Sequence, residues 1–260
     1  MTLEKFTNAA QQFLARRVSG TKAYSLAEAL TPRSIDEALS IQQAIIKLRP
    51  DNVAGWKCLL PLAVDKLIIA PIFSETMQEG EQCWLMQDNS KVRIEPEIAF
   101  VLAHDLPARD EGYSEAEINA AIGSCHMALE LIQSRFADDS DVTFPERLAD
   151  CLVNQGLFLG PTIDKSVAFS ADKFQISIKQ YEESGEVNEQ IFNGVHPNPL
   201  PQLPVYWAIN YMTKRGTSFK KGEAFTTGSY AGVVELDFDK NTDIDYAGVG
   251  SFKVVFKELF

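Results

Sequence analysis

Histidine is scarce in this chain: His104, His126 and His196 are the three, none lies before residue 104, and none has ligand-like spacing. They read as structural or surface residues, and chemistry that needs a histidine base in the first hundred residues is disfavoured. Cysteine is sparse too. Cys58, Cys83, Cys125 and Cys151 are widely scattered with no CxxC pair, so they read as reduced core thiols of a cytoplasmic protein, not as a disulfide or zinc framework. Positive charge is in deficit, with 24 basic against 36 acidic residues and a net charge of -12. Such a chain suits a polyphosphate partner poorly, and with no basic cluster interleaved with aromatics, no nucleic-acid partner is expected. Long apolar runs are missing: stretches such as Cys58 to Val64 are far too short to span a bilayer. The opening Met-Thr-Leu-Glu-Lys-Phe lacks the charged-then-apolar layout of a signal peptide, so no membrane partner is expected either.

What remains is an ordinary globular composition, 45% apolar and 23% charged, long enough to bury a substantial core as one large domain or two unequal ones. Leu3, Phe6, Ala10, Leu14 and Val18 recur near helical spacing and predict a first helix, ended by Gly20. Ser34-x-x-Glu37 has capping-box spacing for a second helix to about Leu48. Val53 to Leu60 predicts a short strand carrying Gly55-Trp56-Lys57, and Ile68 to Phe73 an apolar segment before Glu75. Ser114-x-x-Glu117 opens a helix expected to run past Ile122, with strand character resuming near Met127. Phe144 to Asp150 is amphipathic or a turn, and the apolar stretch Cys151 to Leu159 is expected to stop at Gly160-Pro161. Phe174 to Tyr181 reads as a strand with a polar hairpin turn over Glu182 to Glu186. Val205 to Met212 reads as an aromatic helix, and Ala224 to Tyr230, Val233 to Phe238 and Ser251 to Phe256 as closing strands.

Chemistry concentrates in Val92 to His104, Val-Arg-Ile-Glu-Pro-Glu-Ile-Ala-Phe-Val-Leu-Ala-His. On a strand, alternation puts Glu95 and Glu97 on one face with Ala99, Val101 and Ala103, opposite Ile94, Ile98, Phe100 and Leu102. Two carboxylates on a buried strand call for a compensating cation, and a divalent metal is one. The alternative is an edge strand whose glutamates face water, which Pro96 favours. Glu130, embedded in Ala128-Leu129-Glu130-Leu131, poses the same choice between a cation and a wet strand face. Lys57, between Trp56 and Cys58, either has a buried partner or a shifted pKa, or snorkels to the surface.

Taken together, the ordered set Gly55-Trp56-Lys57, Glu95-Pro96-Glu97-Ile98-Ala99, Ala128-Leu129-Glu130 and Thr227-Gly228 resembles the fumarylacetoacetate hydrolase superfamily. The nearest branch is the bacterial 2-keto-4-pentenoate hydratase and 4-oxalocrotonate decarboxylase group, and the likeness covers nearly the whole chain. It implies an α+β fold, a mixed β-sheet roll or barrel with a small helical N-terminal α/β region. The corresponding division is residues 1–78, contributing Lys57, and a catalytic domain over 79–260. It further implies Mg2+ (or Mn2+) held by Glu95, Glu97 and Glu130, with Lys57 and Glu75 as catalytic groups. Asn154, Thr227 and Gly228 would contact substrate, and the protein would be a homo-oligomer. Two stretches depart from the family pattern. Ala149-Asp150-Cys151-Leu152-Val153-Asn154-Gln155 stands where relatives often read Ala-Asp-Asn-Ala-Ser, and Thr227-Gly228-Ser229-Tyr230-Ala231 where they read Thr-Gly-Ala-Leu-Gly. The activity implied is a metal-dependent lyase, hydratase or decarboxylase, on a small-molecule 2-oxo or 2-hydroxydienoic acid of aromatic-compound catabolism. An acylpyruvate-type carbon–carbon hydrolase and a catalytically idle relative are the alternatives.

Overall fold

The computed structural model describes residues 2–137 and 142–259. Two helices lead, α1 (Thr2–Ser19) and α2 (Ile35–Leu48), followed by β1 (Val53–Ala63) and β2 (Lys66–Phe73). Ser34 caps α2 by accepting from the Glu37 N–H at 3.2 Å, while the Glu37 carboxylate takes the Arg33 N–H. The Ser34 spacing is therefore used, with the return bond shifted one residue upstream. After a 3₁₀ turn (Ser74–Thr76) come β3 (Met77–Glu79), β4 (Gln82–Leu85) and β5 (Val92–Leu102). Next are α3 (Glu115–Ala121), β6 (Ile122–Ile132), α4 (Phe144–Ala149), β7 (Asn154–Ile163) and α5 (Lys165–Ser170). The chain ends with β8 (Lys173–Tyr181), β9 (Val187–Val195), α6 (Leu203–Thr213), β10 (Ala224–Thr226), β11 (Val234–Leu236), β12 (Asn241–Tyr246) and β13 (Gly250–Glu258).

The strands form two mixed sheets. The larger runs β2-β1-β10-β5-β6-β7-β3, with β11 also paired to β5, and the smaller runs β4-β13-β12-β8-β9. A large core joins side chains of both sheets to α6, including Phe100, Met127, Phe158, Ile176, Ile209, Phe225 and Phe256. A second core packs α1 and α2 against β2 and α4 through Phe13, Ile41, Ile45, Phe73 and Leu148. Among the described residues no helix is long and apolar enough to cross a membrane.

Several sequence expectations change. Strand β5 is central, flanked by β6 and by β10 and β11, so the edge-strand reading of Glu95 and Glu97 does not hold. Pro96 is tolerated because its flank lies in the gap between β10, which ends opposite Ala99, and β11, which starts opposite Ile94. Its carbonyl accepts the Tyr230 N–H on that side, and the missing donor faces the same gap. Helix α3 has the full capping box expected of Ser114 and Glu117, but it stops at Ala121 and the strand starts at Ile122, not near Met127. Gly123 allows this early start, since a Cβ there would lie 2.6 Å from that of Ala103. Gly160-Pro161 does not end β7. The two residues fall in a register irregularity between the His126 and Ala128 pairings, where a proline needs no ladder donor.

Candidate active site

Antiparallel pairing of β5 and β6 sets Glu95 directly opposite Glu130 and Glu97 opposite Ala128. Like charges facing one another across a ladder are destabilising, and here three carboxylate oxygens, one from each glutamate, lie within 4.8 Å of one another. Glu97 and Glu130 are buried. Strand β1, one strand beyond β10, turns Trp56 to one side of the sheet and Lys57 to the other. The Lys57 ammonium sits 2.7 Å from Glu130 Oε1 and donates to the Leu152 carbonyl at 3.3 Å; it does not snorkel.

The glutamates are unevenly supplied with hydrogen-bond donors. Glu130 Oε1 also accepts from Asn154 Nδ2 at 2.9 Å, whereas Glu130 Oε2 is buried with no hydrogen-bond partner. One oxygen of Glu97 accepts from the Thr226 hydroxyl and, at 2.8 Å, from the Gly228 N–H. Gly228 is at φ +111°, and a Cβ there would press within 2.8 Å of Leu59 and Pro197. A glycine is thus required for that amide to reach Glu97.

Burial disfavours the charged form of both strand glutamates, and the neighbouring carboxylates add to it. Glu95 is pushed up to about 7, with Lys57 pulling the other way. Glu97 is pushed up to about 8 by burial, Glu130 and Glu95. For Lys57, burial works against the ammonium, but Glu130, Glu95 and Glu97 outweigh it and hold the pKa above its ordinary value. One ammonium against three carboxylates leaves the cluster short of positive charge. A hard divalent cation, which takes carboxylate oxygens, fits that deficit and would give the orphaned Glu130 Oε2 a partner.

Not every expected residue is in this group. Glu75 lies in the 3₁₀ turn after β2 with its side chain 66% exposed, 3.6 Å from Arg49. Thr227 is buried, but its hydroxyl faces His196 Nε2 at 3.4 Å. The hydroxyl at Glu97 belongs to Thr226, a residue not singled out from sequence. The structure places it there by pairing Thr226 with Ala99, which alternation puts on the carboxylate face. The three histidines take no part; His196 is buried, and burial lowers its pKa.

No family model matches the chain. A curated relative, TodF product hydratase from Pseudomonas putida F1, is 27% identical over 179 residues, covering 68% of this chain. The match spans 63% of that protein's length, just under two thirds. A solved structure of 4-oxalocrotonate decarboxylase from Pseudomonas putida G7, complexed with magnesium and adipate, superposes with a TM-score of 0.77 and covers 99% of both chains at 18% identity. A structure from Yersinia pestis CO92, described as of the fumarylacetoacetate hydrolase family, covers 78% of this chain with a TM-score of 0.53 and 16% identity. The chain shares the fold of these solved structures. The mixed roll expected from the sequence is the observed architecture. Within this fumarylacetoacetate hydrolase fold, Glu95, Glu97, Glu130, Lys57 and Asn154 converge from four strands of the larger sheet.

Proposed function

We propose that the protein is a divalent-metal-dependent lyase, hydratase-like, acting on a 2-hydroxydienoic or 2-oxo acid such as 2-hydroxypenta-2,4-dienoate. The observation that carries this reading is the buried, charge-deficient cluster of Glu95, Glu97 and Glu130 with Lys57 against it. Mg2+, with Mn2+ as an alternative, would be held by the three glutamates and would supply Lewis acidity toward the carboxylate and keto oxygens of such an acid.

The remaining work falls to residues of the chain. Thr226 and the Gly228 N–H donate to Glu97 and keep its carboxylate turned into the cluster. Asn154 does the same for Glu130. The Lys57 ammonium is the proton donor and the orienting cation for an anionic substrate. Once the carboxylate charges are compensated, their upward pull on Lys57 weakens while its burial persists, which brings the ammonium toward a useful acidity. Glu75 is the alternative proton carrier. Beside the carboxylates, Ala128 and Leu157 belong to a small apolar cluster with Ile72, Ala99 and Ala224. That cluster surrounds the carboxylate side of the sheet with apolar groups.

A decarboxylase on 4-oxalocrotonate is the second reading, favoured by the full-length superposition on such an enzyme. In either case the protein would work as a cytoplasmic homo-oligomer, with residues 1–78 contributing Lys57 to a catalytic domain over 79–260. The test is Mg2+-dependent loss of the ultraviolet absorbance of 2-hydroxypenta-2,4-dienoate, abolished by chelation and restored by Mg2+. Carbon dioxide release from 4-oxalocrotonate would select the decarboxylase, and no turnover of either acid with Mg2+ saturating would refute the lyase.

A further inference from the structure

The segment joining α4 to β7 carries a backbone anomaly beside the carboxylate cluster. Cys151, Leu152 and Val153 are consecutive and none is glycine, yet their φ values are +60°, +52° and +60°. L-residues visit this left-handed region singly if at all, and a β-branched valine is among the least suited to it. Such a run persists only where its surroundings over-determine it.

The surroundings are specific. Arg135 and Asp150 form an ion pair with both side chains fully buried. Arg135 Nε reaches the two carboxylate oxygens at 3.0 and 2.7 Å, and Nη2 donates to the Asp150 backbone carbonyl at 2.8 Å. Arg17 Nη2 donates to that same carbonyl at 3.2 Å. The peptide group immediately before Cys151 is therefore gripped by two guanidinium groups. Past the turn, the Gln133 N–H holds the Val153 carbonyl and the Asn154 N–H returns to Cys151 O. What the turn delivers is two contacts in the cluster: the Leu152 carbonyl on Lys57 and the Asn154 carboxamide on Glu130.

We propose that Arg135 and Asp150, assisted by Arg17, are positioning residues whose clamp imposes the left-handed turn 151–153 and thereby aims Lys57 and Asn154 at Glu130. This rests on the lyase reading for its consequence in catalysis, but the clamp itself is testable without it. A lysine cannot present two arms to the carboxylate and the carbonyl together, so Arg135→Lys releases the turn. In metal-free protein, exchange of the Gln133 and Asn154 amide hydrogens is expected to accelerate by about tenfold or more, with β8 amides unchanged as the reference. Mg2+ affinity by calorimetry is expected to fall about 10–100-fold, as for other groups that orient metal ligands.

The deciding measurement is rescue. Glycine adopts the left-handed region freely, so adding Val153→Gly to Arg135→Lys is expected to return both readouts most of the way to wild type. An ion pair that merely stabilised the core would accelerate exchange across the sheet and would not be rescued by a glycine two residues from Cys151. If Arg135→Lys does not fold, Asp150→Asn, which keeps the shape and one acceptor, takes its place with the same expectations. Exchange at Gln133 and Asn154 within about threefold of wild type in the folded variant, or failure of the glycine to rescue it, overturns the clamp. A wild-type protein that binds no Mg2+ removes the lyase reading instead, and leaves the clamp to be judged on exchange alone.

Discussion

Two buried charge clusters lie close together in this molecule, and they are built on opposite principles. Around Asp150, the cations Arg16, Arg17 and Arg135 outnumber the anions Asp150 and Glu146. Part of the excess goes to backbone carbonyls, those of Asp150 and Tyr24 accepting from these guanidinium groups, while Arg16 Nη1, Arg17 Nε, Arg135 Nη1 and Glu146 Oε2 have no hydrogen-bond partner. Around Glu130 the anions are in excess, three carboxylates to Lys57, and the donors run out before the acceptors do, leaving Glu130 Oε2 unpaired. A cluster with cations to spare grips backbone and holds a conformation. One that remains short of positive charge is poised to take a ligand. Burial alone does not separate the two, since both contain fully buried ionisable side chains, nor does an orphaned carboxylate oxygen, since Glu146 Oε2 is one as well; the balance of cations against anions does.

The largest effects should come from changing the anionic count. Glu97→Gln or Glu130→Gln removes one carboxylate charge while keeping the shape, and Mg2+ affinity by calorimetry is expected to fall more than about 100-fold, beyond what loss of an orienting neighbour costs. Unchanged binding in both variants would show that the charge deficit is not a metal site. Next comes the cation. Lys57→Met keeps most of the stem volume, so folding should survive, while turnover of the dienoate falls about 10²–10⁴-fold. Glu75→Gln, at an exposed carboxylate paired with Arg49, is expected to cost less than Lys57→Met. The reverse order in kcat at saturating metal would make Glu75 the proton carrier.

Much of the anionic cluster was legible beforehand. Period-two alternation put Glu95 and Glu97 on one face, and the apolar neighbours of Glu130 and Lys57 raised burial with a partner for each, against a wet strand face for the one and a snorkelling stem for the other. The clamp was not legible, because its terms are non-local. Asp150 meets Arg135 and Arg17 only through tertiary packing, and nothing in Cys151-Leu152-Val153 announces a left-handed backbone; if anything, Val153 argues against one. Thr226 was passed over for Thr227 because the two differ only in which face they present, and that depends on the register of β10 with β5. Strand β12 was not anticipated at all, since Asn241, Thr242, Asp243 and Asp245 make it mostly acidic or polar, and it is stabilised by pairing on both sides with β8 and β13.

A smaller effect follows from the raised carboxyl groups. Glu95 and Glu97 have folded-state pKa values of about 7 and about 8, above the ordinary value near 4.3 for an unfolded glutamate. Raised acids bind more protons folded than unfolded. Their contribution to stability is complete below about pH 4, where both states are protonated, and is lost as pH rises through the folded-state values. Metal-free protein should therefore lose stability relative to the Mg2+-loaded form between about pH 5 and 8. Over the same window Mg2+ should bind more tightly as pH rises and release protons on binding, which calorimetry in buffers of different ionisation enthalpy reports directly. Affinity that is flat across this range would mean that the strand glutamates are already ionised without metal.

The smallest effect is expected at another buried carboxylate, and it checks the donor criterion from the other side. Glu223 stands just before β10, where Trp56, projecting away from Lys57, donates its indole N–H at 2.8 Å to one oxygen. The Lys220 backbone N–H donates to the other at 3.1 Å. Burial raises this carboxyl too, to about 7, so by burial and pKa it resembles Glu95. By donors it does not, since each oxygen has one. On the donor criterion Glu223 needs no cation, and Glu223→Gln should leave Mg2+ affinity within about twofold of wild type, far from the 10–100-fold scale of a ligand-orienting group. Its cost should appear in stability instead. The glutamine amide replaces one acceptor with a donor, leaving either the indole or the Lys220 N–H without a partner, a loss of about 1–3 kcal/mol in denaturant unfolding. If Glu223→Gln weakened Mg2+ binding as strongly as Glu97→Gln, burial and not donor supply would be what marks a carboxylate as a ligand here.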